Sequence, residues 1–135
     1  MQEDDAPKTV LITDDSRDEA DLLAVALRRY GHNVILANSA AEALAILETQ
    51  TVDLLVTDVF MPKMNGLALL EQVKAKHPAL PVILITNYDK ALSDAEAISK
   101  GAVGIIEKMK GNYAICERIA QVIGKPRLRT YAQFK

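Results

Sequence analysis

The chain has one cysteine, two histidines and no tryptophan, and none of its apolar runs approaches a membrane span. A lone Cys116 has no partner for an internal disulfide, and one thiol beside so few histidines is not a zinc framework. A reducing cytoplasm is the compartment this usage implies. Spanning a bilayer takes about 18 consecutive apolar residues, so no membrane insertion is expected. Charge of one sign is lacking as well. Sixteen Lys and Arg stand against eighteen Asp and Glu, for a formal charge of -2, so no overall basic field draws the chain to nucleic acid or anionic lipid. The opening MQEDDAPK is acidic and has no apolar centre, which excludes a secretory signal and an amphipathic transit peptide.

What is present is an ordinary globular composition. Fifty per cent of the 135 residues are hydrophobic, which excludes a disordered chain and suits one domain with no room for a second. Short β-branched or aliphatic runs alternate with longer stretches of helical spacing, the pattern of βα units around a parallel sheet. The strand segments are Thr9 to Thr13, Asn33 to Ala37, Leu54 to Thr57, Pro81 to Thr86 and Gly104 to Glu107. Several are nearly continuously apolar, as strands covered on both faces should be. The expected fold is α/β: a doubly wound, five-stranded parallel sheet with helices on both faces.

Between the strands, Leu23, Ala26, Leu27 and Tyr30 follow the i, i+3, i+4, i+7 rule, as do Ala40, Ala43, Leu44 and Leu47, and Gly66, Leu69, Leu70 and Val73. Cys116, Ile119, Ala120 and Ile123 repeat it in the last helix, which makes Cys116 a small buried hydrophobe rather than a reactive thiol. Ser16 and Ser39 are placed to cap the first two helices, and Gly31, Gly101 and Gly124 to end helices, with Pro126 beyond the last. Ala91 to Lys100 is the weakest helix, with only Leu92, Ala95 and Ile98 on its apolar side, and is expected to be the most mobile element. The organisation expected is an acidic tail over 1–8, a domain over 9–124 and a basic tail over 125–135. That tail is either solvated or a docking segment using Leu128, Tyr131 and Phe134.

In an open parallel sheet, ligands bind beyond the carboxyl ends of the central strands. The first strand is followed by Asp14 and Asp15, the third by Asp58, the fourth ends in Thr86 and the fifth is followed by Lys108. Two unit charges about 4 Å apart repel by roughly 1 kcal/mol in water and ~4 kcal/mol at an effective dielectric near 20. Three acids there call for raised pKa values or a cation, and hard carboxylate oxygens suit Mg²⁺ or Mn²⁺ rather than zinc. A divalent ion beside an aspartate, facing an ammonium and a hydroxyl, is a site for a phosphoryl group. The carboxylate itself is a possible nucleophile, giving an aspartyl phosphate. Taken singly, each residue has an ordinary explanation, since acids cap helices and strand-end lysines are solvated; the conjunction does not.

These residues, in LITDDS, VTDVFMPKMNGLALL, ILIT and KGAVGIIEK, resemble the receiver domain of two-component response regulators, from Thr9 to about Gly124. The resemblance implies the flavodoxin-like (βα)5 receiver fold and a phosphoryl group accepted on Asp58 from a histidine kinase or histidine phosphotransfer protein. It implies Asp15 as a direct Mg²⁺ ligand, Asp14 acting through a bound water, and the Phe60 backbone carbonyl completing the set, with Mn²⁺ able to substitute. Thr86 would bond the phosphoryl oxygen and Lys108 would contact the same group. Pro62 and Gly66 would shape the loop after Asp58 and start the third helix. Such phosphorylation is stoichiometric, so the protein is not expected to be an enzyme in the turnover sense. With no output module after Gly124 in this sequence, the signal is expected to leave by contact with a downstream protein, from a monomer or weak dimer.

Three positions depart from the family pattern. Met109 follows the lysine where the family usually has a cis proline; a cis bond before another residue costs roughly 2.5 to 4 kcal/mol, so a trans Lys108–Met109 bond and a rearranged loop are expected. Ile105 replaces the aromatic switch residue, leaving the output to loop and helix shifts or to Tyr88. Unchanged partner affinity in Tyr88→Ala, in both phosphorylation states, would dismiss that relay. Asn87 stands where a small residue is usual and is placed to block or orient attacking water; dephosphorylation equal to that of Asn87→Ala would dismiss it.

Competing readings are a haloacid dehalogenase-type Mg²⁺ phosphohydrolase, a flavodoxin-like small-molecule binder, and a degenerate receiver serving as a phosphorylation-independent platform. The first usually wants an acid where Phe60 stands. The second wants a phosphate loop rich in glycine or hydroxyls, but TDDSRDEAD is acidic.

Overall fold

The structure is a computed structural model that describes residues 6–87 and 92–124. Tyr88 and the basic tail, with Leu128, Tyr131, Phe134 and Pro126, lie outside the described residues. In chain order the elements are β1 (Thr9–Thr13), α1 (Arg17–Arg29), β2 (Asn33–Ala37), α2 (Ala40–Thr49), β3 (Leu54–Asp58), α3 (Gly66–Lys76), β4 (Val82–Thr86), α4 (Asp94–Ser99), β5 (Gly104–Glu107) and α5 (Asn112–Ile123). A 3₁₀ turn, Lys108–Lys110, joins β5 to the last helix. All pairings are parallel, in the order β2-β1-β3-β4-β5, which is the doubly wound sheet that the alternation of strand and helix patterns implies.

Side chains of a strand alternate between faces, and here the two faces build two cores. Leu11, Leu55 and Leu84 pack with Ala40, Ala43, Leu69, Leu70, Val73 and Ala97, so α2, α3 and α4 cover one side. Val10, Ile12, Val56, Ile83 and Ile85 pack with Ala20, Leu23, Ala24, Leu27, Ile115, Cys116 and Ile119, so α1 and α5 cover the other. Burying one such leucine or isoleucine contributes about 1.5–3 kcal/mol. Cys116 is fully buried, and burial pushes its thiol up to about 11, consistent with a packing role.

The punctuation is local and mostly as expected. Ser16 Oγ accepts the Glu19 N–H and Ser39 Oγ the Glu42 N–H, and Gly31 and Gly101 adopt the positive φ that lets the chain leave α1 and α4. β4 begins at Val82 rather than Pro81, because proline has no N–H to give a ladder. The weak fourth helix is a six-residue element, Asp94–Ser99. It is held at its start by a capping box between Ser93 and Glu96. Asp94 Oδ1 also accepts the Ile105 N–H at 2.9 Å, which satisfies an outward-facing donor on edge strand β5.

Candidate functional site

The strand order reverses beside β1: β2 lies on one side of it, β3, β4 and β5 on the other. A crevice opens at such a switch point, at the carboxyl ends of the strands. Register decides what stands there. Thr13 pairs with Thr57, so Asp14 and Asp58 emerge side by side from β1 and β3. Asp58 pairs with Ile85 and Thr86 with Glu107, which brings Thr86 and the following Lys108 to the same edge.

Lys108 is the hub. Its Nζ donates to Asp14 Oδ2 at 2.7 Å, to Asp58 Oδ2 at 2.8 Å and to Glu19 Oε1 at 3.0 Å. Asp14 Oδ1 accepts the Ser16 N–H at 2.9 Å and Asp58 Oδ1 the Phe60 N–H at 3.0 Å. Asp14, Asp58 and Thr86 are buried, whereas Asp15 is exposed at the rim. Burial raises the Asp14 carboxyl above its ordinary value, outweighing the bonds from Lys108 and Ser16 that act to lower it. For Lys108 burial acts to lower the pKa, but the bonds to Asp14, Asp58 and Glu19 outweigh it and raise the value. The ammonium is therefore firmly charged and its buried partner Asp14 incompletely compensated.

One carboxylate oxygen from each of Asp14, Asp15 and Asp58 lies within 4.8 Å of the others. Hard oxygens at this spacing, around an acid whose pKa burial has raised, fit an oxygen-seeking divalent cation such as Mg²⁺. The chemistry available is that of a carboxylate presented beside an ammonium and such a cation.

All six residues singled out from the sequence, Asp14, Asp15, Asp58, Phe60, Thr86 and Lys108, fall at this edge. Phe60 meets Asp58 through its backbone N–H, with its ring half-exposed. Asn87 is exposed next to Thr86, and Ile105 is half-buried in β5. No described peptide bond is cis, so Lys108–Met109 is trans, with the Met109 side chain exposed in the 3₁₀ turn. Glu19 is the residue that sequence reasoning missed. Its spacing from Ser16 is that of a capping box, which points the carboxylate back to its own helix; nothing local signals a lysine 89 residues away.

The family model for the response regulator receiver domain matches residues 10–120. The transcriptional regulatory protein ZraR of Escherichia coli K12 is 38% identical over 99 residues, which are 73% of this chain and 22% of that protein. The chain thus spans about a fifth of the length of this curated relative. The receiver domain of NtrX from Brucella abortus superposes with a TM-score of 0.77 at 32% identity, covering 85% of this chain and 97% of that one. A CheY-like receiver domain protein from Methanospirillum hungatei gives 0.80 at 28%, covering 87% and 94%. The chain belongs to the response regulator receiver domain family of two-component signalling proteins. Among the described residues no helix is long and apolar enough to cross a membrane.

Proposed function

We propose that residues 9–124 form a receiver that takes a phosphoryl group on Asp58 from a histidine kinase or histidine phosphotransfer protein in the cytoplasm, and thereby changes its affinity for a downstream protein. The observation that carries this reading is the Lys108 ammonium 2.8 Å from Asp58 Oδ2, at a sheet edge where two further acids gather. An Asp58 oxygen forms the bond to phosphorus while the bond from phosphorus to the donor breaks, and the donor leaves with that electron pair. Asp15, Asp14 through a water, Asp58 and the Phe60 carbonyl would hold Mg²⁺, or Mn²⁺ in its place. Bound there, the ion supplies neutralisation of phosphoryl oxygens. Lys108 contacts the same oxygens, and the Thr86 hydroxyl donates to one of them. A dianionic group in this pocket shifts the charge balance, and Thr86 and the surface around α4 and β5 follow it. The event is stoichiometric, one group per chain.

The test is intact mass after incubation with acetyl phosphate, with and without Mg²⁺, on the wild type and Asp58→Asn. A metal-dependent gain of one phosphoryl group that Asp58→Asn lacks is the expected result. No gain in any condition would turn the assignment toward a phosphorylation-independent platform.

A further inference from the structure

Three helices of this chain, α1, α2 and α4, begin with the same Ser-x-x-Glu spacing, and α1 and α4 use it differently. At α4 both halves of the capping box form: Ser93 Oγ accepts the Glu96 N–H at 3.1 Å, and Glu96 Oε1 accepts the Ser93 N–H at 3.3 Å. At α1 only the first half forms, with Ser16 Oγ accepting the Glu19 N–H at 3.4 Å. The Ser16 N–H is instead held by Asp14 Oδ1 at 2.9 Å. The Glu19 carboxylate reaches Lys108.

An ammonium has three N–H donors and no more. On Lys108 they go to Asp14, Asp58 and Glu19, at 2.7, 2.8 and 3.0 Å. A phosphoryl oxygen arriving on Asp58 can therefore gain a bond from Lys108 only when one of these acceptors lets go. The Glu19 side chain is 43% exposed, against 2% for Asp14 and 9% for Asp58. A half-exposed carboxylate is readily rehydrated, whereas stripping a partner from a buried one is costly. Glu19 also makes the longest of the three bonds.

We propose that Glu19 is a positioning residue for phosphoryl transfer: it holds the Lys108 ammonium in the unphosphorylated protein and yields it to the phosphoryl group. This rests on the reading of Asp58 as the phosphoacceptor. Its consequences run in two directions. Removing the Glu19 charge leaves Lys108 more tightly on Asp14 and Asp58 and makes the pocket less negative, and both effects weaken Mg²⁺ binding. Once Mg²⁺ is saturating, the same change removes a competitor for Lys108, so transfer becomes faster.

The experiment compares wild type with Glu19→Gln, which keeps the backbone N–H on Ser16, in two measurements: Mg²⁺ titration by calorimetry, and the rate of phosphorylation by acetyl phosphate at saturating Mg²⁺. The expected result is Mg²⁺ affinity lowered and rate raised, each about 2- to 5-fold, as suits a single exposed charge pair. In a Lys108→Gln background the rate gain disappears. A variant that lowers both quantities together is merely damaged and overturns the proposal, as do unchanged values or a rate gain that persists without Lys108. If the wild type itself takes no phosphoryl group, the phosphoacceptor reading has failed; if it does and Glu19→Gln matches it, only the role of Glu19 has failed.

Discussion

The carbonyl oxygen of Asp58 occupies the space that a β-carbon on Gly66 would need, and Val59 Cα would lie 2.9 Å from the same point. The Gly66 N–H donates to Val59 O at 2.8 Å, so the start of α3 is pressed directly onto the backbone that presents Asp58. Gly66→Ala must push these apart. Overpacking of this kind costs about 1–3 kcal/mol, and urea unfolding should show a loss in that range. Mg²⁺ affinity should fall with it, since the displaced backbone carries an acid of the cluster. A variant of wild-type stability would show that the α3 start slides freely.

Lys108→Met removes the cation shared by Asp14, Asp58 and Glu19. With EDTA present the variant should lose up to about 3 kcal/mol in urea unfolding, because acids left without their partner in a partly buried pocket repel one another. A ligand at 100 times its dissociation constant stabilises the folded chain by about 2.7 kcal/mol. Mg²⁺ should therefore restore much of the loss, and should stabilise the variant more than the wild type, whose lysine competes for the same oxygens. Equal Mg²⁺ responses would contradict that competition.

His32 is 3% exposed, and among the described residues neither ring nitrogen has a partner. Burial lowers its pKa below the ordinary 6.5. As pH falls through 6.5 the unfolded chain takes up a proton that the folded chain still refuses, so stability contributed above that pH is lost until the lowered folded value is passed. The slope is at most about 1.4 kcal/mol per pH unit. His32→Leu should flatten the dependence between pH 7.5 and 5.5 in urea unfolding. A wild type with the same slope as the variant would rule out this titration.

Asp94 ties α4 to β5 through the Ile105 N–H, with Arg118 at 4.0 Å from the same carboxylate oxygen. Asp94→Ala leaves that edge donor to water, at about 0.5–1.5 kcal/mol. Hydrogen exchange at the Ile105 amide should quicken, while Asp94→Asn, which keeps an acceptor, should restore protection. Unaltered exchange in Asp94→Ala would show that another group guards the strand edge.

Much of the fold was legible because strand and helix periods are local properties. The stripe Gly66, Leu69, Leu70, Val73 is wholly buried as read. On α1 the buried set is Ala20, Leu23, Ala24 and Leu27, with Ala26 and Tyr30 only half-buried. Alanine contributes too little apolar area for a pattern to choose between neighbours. In α5, Ile115 is buried whereas Ala120 and Ile123 are half-buried. The acids, Thr86 and Lys108 were legible at the site because strand ends in a parallel sheet converge by topology.

By itself, then, the sequence determined the alternation of elements, the faces they bury, and the set of oxygen and ammonium groups delivered to one edge, since each follows from spacing within a short window. Tertiary structure alone decided how those charges are shared. Register set Asp14 beside Asp58, the close approach at Gly66 set the backbone under Asp58, and Asp14 accepts the Ser16 N–H. Glu19 bonds a lysine 89 residues away. A carboxylate serves whichever donor the fold brings nearest, and that choice is made by distances that local sequence does not encode.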